Sequence, residues 1–178
     1  MPIPVTDRTE SEAGLAAAYL KFVEHDSDGI RAALFIVTAR GEPLEFVFNS
    51  ISVPAHFLWR SGEVRRAAVR TLCQSMFQAA TRVPDLVLAL AEEVPARVFT
   101  QDLAVSIPLC RIAGAQAVTS ADEIEETLPS DLHIFWATPS PAPESNARSL
   151  LEALSLGEGL LEPFDRAATG ITEAFREL

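Results

Sequence analysis

The stretch AAAYLKFVEHDSDGIRAALFIVTARGEPLEFVFN, residues 16–49, decides how the chain folds. Its middle, Ile30 to Ala39, carries the run Leu34-Phe35-Ile36-Val37-Thr38. Such β-branched and aromatic residues suit a pleated, packed surface. Just before it, His25-Asp26-Ser27-Asp28-Gly29 is a turn signal. Residues 16–24 read two ways. Leu15, Tyr19, Phe22 and Val23 have helical spacing, whereas Leu20 and Phe22 alternate around Lys21 as in a strand. The turn and the β run that follow favour a strand. On the other side, Ala39-Arg40-Gly41-Glu42-Pro43 is a second tight turn, in which Gly supplies a positive φ and Pro opens the next strand. Leu44, Phe46 and Phe48 then alternate with period two, which predicts that they share one face. Two turns this short permit only antiparallel neighbours, so 16–50 is predicted to be a three-stranded meander.

Working outward, residues 1–15 read as a flexible lead-in and 16–178 as a single α/β domain. Pro54 ends the meander and is followed by an aromatic segment, Ala55-His56-Phe57-Leu58-Trp59. A helix is predicted over 61–82, opening at Ser61 with Glu63 in its first turn, where the helix dipole favours an anion. Val64, Ala68, Leu72, Met76, Ala79 and Val83 form its apolar stripe, and Pro84 stops it. Residues 86–91 are a short apolar run, predicted to be a buried strand parallel to the first. Ala104 to Ile107 reads as a strand that Pro108 confines to an edge, and 121–128 as an acidic helix or loop. Residues 132–137 form another buried strand, Pro139, Pro141 and Pro143 a stiff connector, and the last 35 residues closing helices. Leu150, Leu151, Leu154 and Leu156 make one helical apolar face there, and Phe164, Ala168, Ile171 and Phe175 a second.

Composition bounds the function. A chain of 178 residues, 48% of them hydrophobic, buries roughly 70% of its unfolded surface and needs neither disulfide nor metal to stay folded. Cys73 and Cys110 sit in apolar surroundings and read as buried thiols. Together with His25, His56 and His133 they show no CxxC or HxxxH spacing, which speaks against a zinc site. The first residues lack a basic and apolar leader, and no apolar run is long enough to span a bilayer, so a cytoplasmic protein is expected. The net charge of −11 disfavours sequence-independent nucleic-acid binding. The basic charge gathers on the 61–82 helix and just before it, at Arg60, Arg65, Arg66 and Arg70. Arg66 and Arg70 are helical neighbours able to meet a phosphate or carboxylate together. No G-x-S-x-G elbow, reactive-cysteine signature or phosphate-cradling glycine loop is present.

The element order, a meander, a helix crossing to a parallel strand, a further strand and closing helices, resembles the ribonuclease H-like fold over 16–178. A profilin-like or roadblock-like sheet is the next candidate. The resemblance rests on element order, and no family motif matches. It implies metal-dependent phosphodiester cleavage, in which carboxylates converge on Mg²⁺ ions about 3.5–4 Å apart. The acid that anchors the metals in that family sits in the middle of the first strand, with others on the first helix, after the fourth strand and on a later helix. Here Lys21 or Phe22 occupies the mid-strand position. The nearest acids are Glu24, Asp26 and Asp28, then Glu63, the pair Glu92 and Glu93, and Glu144 or Glu152.

Two function classes follow. A well-formed core without catalytic motifs predicts a non-catalytic subunit or scaffold of an intracellular complex. It would dock on a protein partner or a second copy through the meander edge, through Phe57 and Trp59, or through Arg60, Arg65, Arg66 and Arg70, with no cofactor and with nucleic acid met only through a partner. The alternative is a divergent metal-dependent nuclease or nucleotide-processing enzyme that uses Glu24, Asp26, Glu92 and Glu93, with Mg²⁺ as its cofactor. A small-molecule sensing domain is a third possibility.

Overall fold

The structure is a computed structural model that describes residues 14–25, 29–53, 60–114, 122–156 and 159–176. Its first three strands, β1 (Ala16–His25), β2 (Gly29–Thr38) and β3 (Pro43–Ser52), form the expected antiparallel meander. Helix α1 (Ser61–Ala79) crosses to β4 (Leu86–Leu90), which pairs with β1 in parallel, Ala17 opposite Leu86 through Leu20 opposite Ala89. A π-helical turn (Val98–Asp102) leads to β5 (Leu109–Ala113), again parallel, and β6 (Ile124–Thr127) and β7 (His133–Trp136) follow antiparallel. Helices α2 (Asn146–Ser155) and α3 (Glu162–Ala174) close the chain. The seven strands make one mixed sheet in the order β3-β2-β1-β4-β5-β7-β6.

The ambiguity of 16–24 has a physical origin. β1 is central and buried on both faces, so it reads as a continuous apolar run rather than as an alternation. Ala16, Ala18, Leu20 and Phe22 join the core beneath α1, while Ala17 and Tyr19 join the core beneath α2 and α3. Cys73 lies in the first core and Cys110 in the second, both buried and free. Among the described residues no helix is long and apolar enough to cross a membrane.

Several local expectations are corrected. Leu44 and Phe46 do not share a face: the β2–β3 register shifts beside Ile36 and Val37, and this bulge turns Leu44 toward the α1 core while Phe46 faces the other. Helix α1 ends at Ala79 rather than at residue 82, because the Glu45 carboxylate accepts the backbone N–H groups of Thr81 (2.8 Å) and Arg82 (2.9 Å). Its buried stripe is Ala68, Val69, Leu72, Cys73, Met76 and Phe77, which leaves Ala79 exposed. The strand expected at 104–107 is instead β5, at Leu109–Ala113, starting after Pro108 and lying inside the sheet. The acidic segment at 121–128 contains the edge strand β6. Leu156, expected on a buried helical face, is 80% exposed beyond the end of α2.

Candidate functional site

β1 and β4 are parallel neighbours whose onward connections leave in opposite directions, β1 to β2 on one side and β4 to β5 on the other. Open α/β sheets take their ligands at the carboxyl ends of the strands beside such a switch point. The residues gathered there are Lys21, Phe22 and Glu24 from β1, Glu93 from the turn after β4, and Arg65 from the N-terminal half of α1.

Their arrangement follows from where the strands part. β4 accompanies β1 only as far as Leu20 opposite Ala89, so the next backbone N–H groups of β1 on that side lack a ladder partner. Glu93 supplies one: its Oε2 accepts the Phe22 N–H at 3.0 Å, and its Oε1 is ion-paired with Lys21 Nζ. Both side chains are largely withdrawn from water, at 16% and 12% exposure, which makes the pair less open to screening than a surface one. Arg65 donates to Glu24 Oε1 and, at 3.1 Å, to the Glu93 backbone carbonyl, tying α1 to both strand ends.

A second layer holds the turn that carries Glu93. Arg111, on β5, donates to the carbonyls of Ala91 (3.2 Å) and Val94 (3.0 Å). Its guanidinium grips both oxygens of Glu123 at 2.7 Å, with the two side chains only 2% and 0% exposed. A charge this deep is tolerated when it is paired and hydrogen-bonded. Arg66 binds Asp102 of the π-helical turn through Nε (2.6 Å) and Nη2 (2.7 Å).

The sequence-predicted site residues therefore divide. Glu24 and Glu93 meet at the switch point, each held by a protein cation. Glu92 is exposed beside them. Asp26, Asp28, Phe57 and Trp59 lie outside the described residues. Arg65 and Arg66 are engaged with acids of the same chain, while Arg60 and Arg70 are exposed. Glu63, Glu144 and Glu152 are exposed on α1, before α2 and on α2. Arg111, Glu123 and Asp102 were not singled out by the sequence reading. A lone arginine inside the apolar run Leu109-Cys110-Arg111-Ile112 was the available signal for the first of them.

The donor set does not suit the metal ions that the fold implies. Among the described residues no three of His, Cys, Asp and Glu come together to hold one. The mid-strand position carries an ammonium rather than a carboxylate, and both oxygens of Glu93 already accept from β1.

No protein-family model matches the chain, and no curated protein matches its sequence. Solved structures do. A crystal structure of human ENDOV superposes with a TM-score of 0.57 at 14% identity, covering 92% of this chain and 85% of that one. Endonuclease V from Bacillus subtilis superposes with a TM-score of 0.56 at 12% identity, covering 91% and 82%. These likenesses correct the expectation of a non-catalytic subunit or scaffold. The two structures match over about nine-tenths of this chain, and neither is a scaffold or docking subunit. The chain has the ribonuclease H-like fold found in endonuclease V.

Proposed function

We propose that this chain is a nuclease-like protein that engages the phosphodiester backbone of a nucleic acid at the carboxyl ends of β1 and β4. The observation that carries the reading is the match to endonuclease V over about nine-tenths of the chain, together with the charged side chains that meet at the β1–β4 switch point of this chain. Among the described residues, the donors at this end do not fit metal ions. The chain's own cations supply what a phosphate needs. Lys21 and Arg65 are held in place by Glu93 and Glu24, and Arg60 and Arg97 are exposed at the starts of α1 and of the π-helical turn. An arginine fork meets two phosphate oxygens at once, and Glu93, fixed by two donors of β1, holds Lys21 in position beside that phosphate.

The test is fluorescence anisotropy with labelled single- and double-stranded DNA and RNA, followed by denaturing gels of the same oligonucleotides. The expected result is binding that weakens with salt. Arg60→Ala and Arg97→Ala should each reduce affinity across sequences and lower the salt slope by about one. Absence of binding to all four substrates at low ionic strength, with a folded protein, would overturn the proposal.

A further inference from the structure

We infer that the Lys21 ammonium is the resident cation of this site: a tethered positive charge occupies the functional place of a divalent ion, and the site neither needs nor takes up Mg²⁺ or Mn²⁺. The inference rests on reading the β1–β4 end as the functional site, and deepens that reading by assigning its electrostatic agent.

Three observations carry it. First, Lys21 is the only lysine of the chain and stands in the middle of β1. From Ala16 to Phe22 that central strand otherwise sends apolar side chains to both cores, so an ammonium there needs a built partner to offset its desolvation. Second, the partner is built. Glu93 is 12% exposed, and its two oxygens are divided between Lys21 Nζ and the Phe22 N–H. To ligate an ion it would have to release an ammonium and uncover a strand N–H that β4 no longer covers. Third, the neighbouring carboxylate of Glu24 is held by Arg65, which also grips the Glu93 carbonyl. Two cations and two carboxylates thus balance one another at the strand ends. A divalent ion entering beside Lys21 would meet an ammonium where hard cations require an oxygen donor.

The pairing also gives Lys21 a role that a merely structural lysine lacks. An approaching phosphate offers its ammonium a second anionic partner, so Glu93 acts as a positioning residue that keeps the charge at the strand ends until phosphate arrives.

The experiment is a Mn²⁺ titration of the full chain at neutral pH and moderate salt, read by the loss of the free-ion electron paramagnetic resonance signal. No nucleic acid is present, so its outcome is independent of whether oligonucleotides bind. The wild type is expected to show no saturable site below millimolar Mn²⁺. Lys21→Asp, its fold verified by circular dichroism, is expected to gain a single site at least tenfold tighter than any residual wild-type binding, and Glu93→Gln in that background is expected to abolish it. One saturable Mn²⁺ on the wild type that Glu93→Gln removes would overturn the inference. So would a folded Lys21→Asp variant that gains no site. If Lys21→Asp does not fold, the wild-type titration decides: no saturable site below millimolar Mn²⁺ supports the inference, and one that Glu93→Gln removes overturns it.

Discussion

Replacing Arg111 by methionine should be among the most damaging single changes available in this protein. The guanidinium is 2% exposed and the Glu123 carboxylate 0%, with two 2.7 Å bonds between them and two more to the Ala91 and Val94 carbonyls. Methionine conserves the length of the stem but leaves Glu123 buried without its bidentate partner and deprives the two carbonyls of a donor. Removing one member of a buried ion pair costs about 3–5 kcal/mol. For a chain of this size that corresponds to a melting temperature lowered by roughly 6–20 °C. Urea unfolding followed by circular dichroism measures the free energy, and calorimetry the midpoint. Arg111→Met combined with Glu123→Leu should recover at least half of the loss, because an apolar pair removes the buried carboxylate that has lost its guanidinium. A single variant that loses less than 1 kcal/mol, or a double variant as unstable as the sum of the two singles, would mean that the Arg111–Glu123 pair does not hold this turn in place.

Three other perturbations follow from the packing. A Cβ on Gly170 of α3 would lie 2.7 Å from Phe46 Cζ and 2.9 Å from Cε2, so Gly170→Ala should lose about 1–2 kcal/mol despite alanine's better helix propensity. Shortening the facing ring with Phe46→Leu should restore most of it in denaturant titrations. Glu126 accepts from Arg148 at 2.6 and 2.8 Å and from Trp136 Nε1 at 3.1 Å, and the Arg148 hydrogen bond holds its carboxyl below the ordinary value. A depressed carboxylate stabilises the fold fully above its unfolded pKa of about 4.3, and that contribution is lost as the pH falls through the lower folded value. The wild type and Arg148→Ala should therefore differ most in stability above about pH 5 and converge in acid, as urea midpoints measured across pH will show. Burial pushes the thiols of Cys73 and Cys110 well above the ordinary range, so neither should react with a thiol-disulfide reagent in the native protein, and both should react after unfolding.

What was legible in the sequence was local. Gly41 in its turn, with φ of 77°, and the run from Leu34 to Thr38 announced the meander through turn chemistry and β-rich composition. The parallel β4 followed from a short apolar run after a helix. Elements whose existence depends on distant partners were harder to see. β5 is an interior strand because β4 and β7 flank it, and its lone arginine disguised an apolar pattern whose logic is the Glu123 carboxylate. β6 is an exposed edge, with Ile124 52% exposed, so it carries no buried face to read. The candidate site shows the same division. That Lys21 stands where the fold resemblance asks for an acid was visible at once. That Glu93, 72 residues away, reaches back to hold it could not be, because β4 must first pair with β1 and then part from it before the pocket for that carboxylate exists.

On the proposed function, nucleic acid meets this chain at the carboxyl ends of β1 and β4. Amide hydrogen exchange with and without a saturating oligonucleotide tests it most directly. Exchange should slow in peptides covering residues 21–24, 60–66 and 91–98, with little change along the β6 edge or over α3. Protection confined to those distant surfaces, or an exchange map unchanged by every DNA and RNA offered, would contradict it.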